Sequence, residues 1–182
     1  DTDANVFGYP VIVGDQAIVG DALGTLWAIG LDGEVRWTAS MNGAIRGGPA
    51  SDGVVVYAIS DLGDVRAFSL DGFEIWREQL VFETHAGSAL TVVYAAPTIV
   101  GDRLVVTFTV EGGPGSPGLV AFDRYLGSID WWGNDPDGVS EARWANVRSS
   151  AAVAPDGLVV ASSLSTGVQL ISPDTGRAAW AA

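Results

Sequence analysis

The chain lacks several residue types, and each shortage excludes a class of protein. None of its 182 residues is a cysteine, which rules out disulfide scaffolds, thiolate catalysis and cysteine-based zinc sites. No apolar run is long and helical enough to suggest a membrane span. The single methionine, Met41, lies inside the chain and residue 1 is Asp1. We therefore expect a processed or engineered N-terminus, with any signal peptide already removed.

Lysine is also missing, so the nine positive side chains are all arginines, and the formal net charge is −13. An acidic surface repels phosphate backbones, and we expect no nucleic-acid partner. The simplest role of this charge is to keep the protein soluble. The 24 glycines, together with plentiful valine, threonine, isoleucine and tryptophan, favour many short strands joined by tight turns.

A frame of the form Gly-x8-Gly-x3-Trp occurs four times. Its positions are Gly24/Gly33/Trp37, Gly63/Gly72/Trp76, Gly118/Gly127/Trp131 and Gly167/Gly176/Trp180. The residues on either side of each second glycine alternate with period two, which predicts a hairpin. A Gly-Asp or Asp-Gly turn precedes each frame. Each unit is thus predicted to be four antiparallel strands in about forty residues, a length typical of a β-propeller blade. The fold class is all-β, with four blades.

The predicted blades span approximately residues 6–40, 46–79, 94–133 and 148–182, in one propeller domain or fragment. We expect the extra length of the third unit, residues 111–118, to form a protruding loop. Blades bury their faces by stacking, and a repeated tryptophan would supply a flat apolar plug between neighbours. We therefore assign structural roles to the second glycine and the tryptophan of each frame: Gly33, Gly72, Gly127, Gly176, Trp37, Trp76, Trp131 and Trp180.

The segment Ala121-Phe-Asp-Arg-Tyr-Leu-Gly-Ser-Ile-Asp-Trp131 resembles the tryptophan-docking motif of the PQQ-like propeller repeats. The segment from Leu170 to Trp180 is similar, whereas units one and two shorten the turn by one residue. This family includes quinoprotein alcohol dehydrogenases, the BamB-type scaffold of outer-membrane assembly and sensor domains of membrane kinases. Its propellers typically have seven or eight blades, so the resemblance implies a fragment, a four-bladed ring or a ring completed by two chains.

Members with dehydrogenase activity hold PQQ and calcium through a glutamate and an asparagine, beside a catalytic aspartate. No stretch of this chain matches that ligand motif residue by residue, so we expect no cofactor and no catalytic residue in this chain. Whether the protein is an enzyme stays open, and a non-enzymatic role is favoured. Asn134, Asp135 and Asp137 could form a calcium loop. The same five-residue segment is also ordinary turn chemistry, which we favour, so no metal is expected.

Candidate ligand-binding residues lie in the connections between blades, which open onto one mouth of a propeller's channel. They are Arg46, His85, Tyr94, Arg143, Trp144 and Arg148. Cations gathered in an otherwise acidic protein could receive a carboxylate or an acidic peptide. The simpler interpretation is that they pair with nearby aspartates, and that His85, the single histidine, is a solvated loop residue.

We therefore expect a non-enzymatic scaffold or sensor module that binds a protein, peptide or other ligand in a periplasmic, extracellular or cell-surface setting. One alternative is a fragment of a PQQ-dependent alcohol or sugar dehydrogenase whose cofactor ligands lie outside this chain. Another is the sensory ectodomain of a membrane kinase. The open ends of an incomplete arc also favour self-association that completes the propeller.

Overall fold

Four large antiparallel sheets, together with two small two-stranded ones, make up the described part of the chain. The computed structural model describes residues 4–84, 87–89, 91–110, 118–133, 149–157, 159–163 and 167–181. Each of the four large sheets has four strands, and the order of the strands in space follows their order in the chain. The described residues contain no helix. The all-β prediction and the four-stranded blades are confirmed, whereas the loop expected at residues 111–118 falls almost entirely outside the described residues.

The sheets are called blades 1 to 4, and their strands follow the glycine–tryptophan frame. Blade 1 contains β1 (Val11–Val13), β2 (Gln16–Gly20), β3 (Thr25–Gly30) and β4 (Val35–Ser40). Blade 2 contains β5 (Ala50–Ser51), β6 (Val55–Ile59), β7 (Asp64–Ser69) and β8 (Glu74–Gln79). The connection after blade 2 contains β9 (Phe82–Thr84), β10 (Gly87–Ala89) and β11 (Thr91–Val92).

Blade 3 contains β12 (Thr98–Val100), β13 (Arg103–Thr107), β15 (Leu119–Asp123) and β16 (Ile129–Trp132), with β14 (Thr109–Val110) following β13. Blade 4 contains β17 (Ala152–Val153), β18 (Val159–Ser163), β19 (Gly167–Ile171) and β20 (Ala178–Ala181). The sequence did not predict the small hairpin β9–β10 or the β11–β14 pair. Two- and three-residue strands are too short to show a period in the sequence.

The first strands of successive blades lie at the inner edge of the arc. β1 contacts β5, β5 contacts β12, and β12 contacts β17. The faces of neighbouring blades bury three apolar clusters, one at each junction. Between blades 1 and 2, for example, Ile18 and Leu26 pack with Phe68. Since residues alternate between the two faces of a strand, each inner blade contributes to the cores on both of its sides.

The tryptophans join each blade to the next one. The Nε1 of Trp37 donates a hydrogen bond to the carbonyl oxygen of Leu70 in blade 2, at 2.8 Å. A Cβ placed on Gly72 would lie 2.7 Å from the ring of Trp37, so the ring rests directly on the glycine. Gly72 has a φ of +84°, which glycine adopts without strain.

The same contact recurs at the two following junctions. Trp76 donates to the carbonyl oxygen of Arg124 at 2.8 Å, and Trp131 donates to that of Pro173 at 2.7 Å. Their rings cover Gly127 and Gly176 respectively. Each tryptophan therefore docks on the frame glycine of the following blade. In blades 3 and 4 the accepting carbonyl lies three residues before the glycine instead of two, because these turns are one residue longer.

Candidate binding surface

Asp61 fixes the connection that carries Arg46. This connection runs between β4 and β5, and Ile45 anchors it because its side chain is fully buried. One carboxylate oxygen of Asp61 accepts a hydrogen bond from the backbone N–H of Ala44 at 2.9 Å. The other oxygen accepts one from Nε of Arg46 at 2.8 Å. The position of the arginine is therefore set by both its backbone and its side chain.

Arg46 lies between two aromatic rings from distant parts of the chain. Its guanidinium carbon is 5.5 Å from the ring centre of Phe7 and 5.9 Å from that of Tyr94. Both distances fall within the range of cation–π attraction. Phe7 is 57% exposed and Tyr94 41%, and the arginine side chain keeps 40% of its surface in solvent. We call Phe7, Arg46, Asp61 and Tyr94 the arginine–aromatic cluster.

Two of the six ligand-binding candidates, Arg46 and Tyr94, are brought together by the structure. The other four, His85, Arg143, Trp144 and Arg148, lie outside the described residues, as does the candidate metal loop of Asn134, Asp135 and Asp137. Arg46 pairs with a neighbouring aspartate, as the simpler interpretation expected. Phe7 and Asp61 were missed, because a lead-in segment and a turn give no periodic signal that would place them beside Arg46.

A second opening, between blades 1 and 2, has a volume of about 500 Å³. Gln16, Trp37 and Leu70 are among the residues that line it. The carbonyl oxygen of Leu70 accepts hydrogen bonds from both Gln16 and Trp37, at 2.9 and 2.8 Å. Arg36, also at this opening, pairs with Asp32 at 2.6 Å. These groups serve blade docking and the surface pair, so the opening is part of the scaffold.

The family relationship follows from comparison with known proteins. A family model described as outer membrane protein assembly factor BamB matches residues 23–182. The chain belongs to this PQQ-like, BamB-type family. No curated protein sequence matches it.

Solved structures share the fold at low sequence identity. BamB from Moraxella catarrhalis is 21% identical with a TM-score of 0.70, over 99% of this chain and 52% of that one. A europium-containing methanol dehydrogenase is 19% identical with a TM-score of 0.76, over 99% of this chain and 42% of that one. The computationally designed Ika4 protein is 12% identical with a TM-score of 0.65, over 93% of this chain and 92% of that one. The chain thus spans about half or less of the natural structures.

The residues that the structure describes contain no group of three or more His, Asp or Glu side chains that could hold a metal ion. Arg46 is held by an aspartate and two aromatic rings, an arrangement that is chemically able to contact a polar or aromatic group. The same described part of the BamB-type chain contains no helix that could cross a membrane.

Proposed function

We propose that this BamB-type propeller is a non-enzymatic binding scaffold or sensor module that takes a protein or peptide segment at the arginine–aromatic cluster. The observation that carries the proposal is the exposed guanidinium of Arg46 between the rings of Phe7 and Tyr94. Tyrosine and arginine are enriched among the residues that contribute most to protein interfaces.

The chemistry of the cluster favours a peptide with a carboxylate or exposed carbonyl groups. A guanidinium has five N–H donors, and the bond to Asp61 uses the one on Nε. The flanking rings provide flat apolar area that can pack on peptide groups and side chains. Because Asp61 and the rings already hold the arginine, little side-chain entropy is lost when a ligand binds.

The setting and the partners follow from the same interpretation. The matching family model is described as an outer membrane protein assembly factor, which favours an exported, periplasmic or cell-surface location. The proposed partners are a protein or peptide at the cluster and, by self-association, a second copy of the chain. The proposal requires no cofactor, and the net charge of −13 argues against nucleic acid.

Peptide selection with a matched control tests this function. A displayed library of random peptides is selected on the immobilised protein, and the affinity of the selected peptides is then measured for Arg46→Ala and Arg36→Ala. The two arginines are well matched, since each pairs with one aspartate and their side chains are 40% and 41% exposed. We expect Arg46→Ala to lose about tenfold in affinity, equivalent to about 1.4 kcal/mol, and Arg36→Ala to bind normally.

Tyr94→Ala should weaken the same peptides, because it removes one of the two rings beside the guanidinium. Two results would contradict the proposal. In the first, selection yields no peptide that binds the soluble protein. In the second, the selected peptides bind equally well to the wild type and to the Arg46 and Tyr94 variants.

A further inference from the structure

The connection between β4 and β5 contains a chemically labile pair, Asn42-Gly43. Asparagine is among the thermolabile residues of proteins, since its side-chain amide can react with the backbone nitrogen of the next residue. A glycine in that next position favours the reaction because no side chain obstructs its nitrogen. The other asparagines, Asn5, Asn134 and Asn146, precede valine, aspartate and valine. The sequence therefore makes Asn42 the most reactive asparagine of the chain.

The structure leaves both reacting groups of this pair accessible. Asn42 is exposed, and the pair lies in irregular backbone between β4, which ends at Ser40, and β5, which begins at Ala50. Within the described part of the chain, the N–H of Gly43 donates no hydrogen bond. A bonded amide would first have to leave its acceptor, whereas this nitrogen can approach the side chain of Asn42 directly.

The fold also requires glycine at position 43. Gly43 has a φ of +99°, a conformation that glycine adopts without strain. A Cβ added there would lie 2.7 Å from a carboxylate oxygen of Asp61 and 2.8 Å from Cγ of Leu62. No larger residue fits between these two side chains, so the glycine that makes Asn42 reactive is itself structural.

Hydrogen bonds hold the backbone on both sides of the pair. The N–H of Asn42 donates to the carboxylate of Asp64 at 2.7 Å, and the hydroxyl of Ser60 donates to the carbonyl of Asn42 at 2.5 Å. The N–H of Ala44 donates to the carboxylate of Asp61 at 2.9 Å. The same carboxylate orients the guanidinium of the arginine–aromatic cluster. The length of main chain between these bonds therefore sets the position of the cluster.

We propose that Asn42 deamidates in the folded protein and that the isoaspartate product releases the connection from Asp61, which disables the arginine–aromatic cluster. The backbone nitrogen of Gly43 attacks Cγ of Asn42, and the new C–N bond closes a five-membered succinimide ring. The side-chain nitrogen takes the proton of the attacking N–H and leaves as ammonia. Water then opens the ring at one of its two carbonyls and gives aspartate or isoaspartate, so water is the only co-reactant.

The two products differ in their effect on the backbone. In isoaspartate the main chain passes through the former side chain and is lengthened by a methylene carbon. The carbonyl that Ser60 binds then leaves the main chain and becomes a carboxylate. Because the N–H groups of residues 42 and 44 are both fixed, the longer chain forces at least one of their bonds to change. Aspartate keeps the length of the backbone and adds only a negative charge.

Peptide mapping by mass spectrometry tests the chemical step. The protein is incubated at mildly alkaline pH, which favours attack by the backbone nitrogen, and is sampled over time. We expect the mass gain from amide to carboxyl at Asn42 well before Asn5. Isomerisation of the Asp-Gly pairs changes no mass and does not interfere. Asn42→Gln is the matched control, because a glutamine amide would have to close a six-membered ring, which forms much more slowly.

Hydrogen exchange measures the effect of the modification on the connection. The amide of Ala44 is protected by its bond to Asp61. We expect residues 41–46 to exchange faster in the purified isoaspartate form than in the unmodified protein, and Asn42→Gln to behave as the unmodified protein does. Asn42→Asp has the added charge with a normal backbone, and it should keep most of the protection.

The effect on binding rests on the proposed function and is measured with the peptides selected on the wild type. The isoaspartate form should lose about tenfold in affinity, as Arg46→Ala does. Asn42→Gln, incubated for the same time, should keep its affinity, since its connection stays intact.

Two outcomes would overturn the proposal. In the first, Asn42 stays unmodified in the folded protein while urea-unfolded protein is converted, which would show that the fold protects the pair. In the second, the isoaspartate form exchanges its amides as slowly as the unmodified protein, so that the connection tolerates the longer backbone. A failure of the proposed function gives a different result, because fresh wild type would then bind no peptide, whereas both the mass and the exchange measurements would be unaffected.

Discussion

Trp76 donates its indole hydrogen bond to the backbone carbonyl of Arg124, 48 residues further along the chain, at 2.8 Å. The ring lies over Gly127 and packs beside Phe122, with the two ring centres 6.4 Å apart. A single side chain thus provides apolar packing, a hydrogen bond and an aromatic contact at one junction. It joins residues that are distant in sequence, and its contribution to the free energy of unfolding can be measured.

Trp76→Ala should lower the free energy of unfolding by about 3–5 kcal/mol, because it removes a large buried ring. Trp76→Phe should keep most of the packing and lose mainly the hydrogen bond, at a cost of about 0.5–1.5 kcal/mol. Urea unfolding followed by circular dichroism measures both values. Equal losses in the two variants would show that the ring itself contributes little to the junction.

Gly127→Ala should be more destabilising than Gly53→Ala. Both glycines have positive φ, at +77° and +93°, so alanine is strained at either position. An added Cβ at Gly127 would lie 2.7 Å from the ring of Trp76, whereas at Gly53 it meets nothing within 4 Å. We expect an additional loss of about 1–3 kcal/mol at Gly127 from overpacking. Similar unfolding midpoints for the two variants would contradict the close ring contact.

The pair between Asp64 and Arg66 should contribute far more to stability than the pair between Asp32 and Arg36. Both pairs have a shortest N···O distance of 2.6 Å. Asp64 is buried and also accepts the backbone N–H of Asn42 at 2.7 Å, whereas the Asp32–Arg36 pair is exposed.

Asp64→Ala should cost about 3–5 kcal/mol, since it leaves the largely buried Arg66 without its main partner. Asp32→Ala should have little effect on the free energy of unfolding, because solvent screens an exposed pair. Chemical unfolding of the two variants provides the comparison. A small loss at Asp64 would mean that Glu74, 3.1 Å from Arg66, compensates for the missing carboxylate.

The buried hydroxyl of Tyr57 should make the protein less stable at alkaline pH. Burial raises the pKa of its hydroxyl from the ordinary value of 10 to about 12. The unfolded chain releases this proton at lower pH than the folded chain does. The stabilising effect is therefore complete below pH 10 and is lost as the pH rises from about 10 to about 12.

In Tyr57→Phe the free energy of unfolding should depend less on pH in this range. Urea unfolding at a series of pH values from about 9 to about 12 measures this dependence. The hydroxyl has no hydrogen-bond partner among the described residues, so the substitution should cost little at neutral pH. Tyr125, which is exposed, provides the control variant Tyr125→Phe. If stability still falls at high pH in Tyr57→Phe but not in Tyr125→Phe, Tyr125 and not Tyr57 causes the loss.

The repeated architecture could be predicted because the spacing of residues close together in the sequence specifies its strands and turns. Gly72 and Trp76 mark a turn and a strand through their spacing alone, and the same spacing at four places predicts stacked blades. The partner of each tryptophan was not predictable in the same way. That Trp76 meets Arg124 depends on how two sheets face each other, which no local period specifies.

The candidate site was predictable only in part. Arg46 and Tyr94 stood out because they lie in connections between blades of an acidic protein. Phe7 reaches Arg46 from the N-terminal segment, and Asp61 reaches it from a turn inside blade 2. Such contacts depend on the path of irregular backbone, and single polar or aromatic residues in loops give no signal of their neighbours.

Each of these tryptophans docks on the blade that follows its own in the chain. This arrangement affects the order in which the blades unfold. Blade 2 holds the ring of blade 1, blade 3 that of blade 2, and blade 4 that of blade 3. Interactions between nearest neighbours alone make the stability approximately a sum over blades and junctions. Among the described blades, blades 1 and 4 each have one such junction, and blades 2 and 3 each have two. In a single copy of these residues, opening should therefore begin at blades 1 and 4 and progress inward one junction at a time, so that amide hydrogens of blades 2 and 3 exchange last.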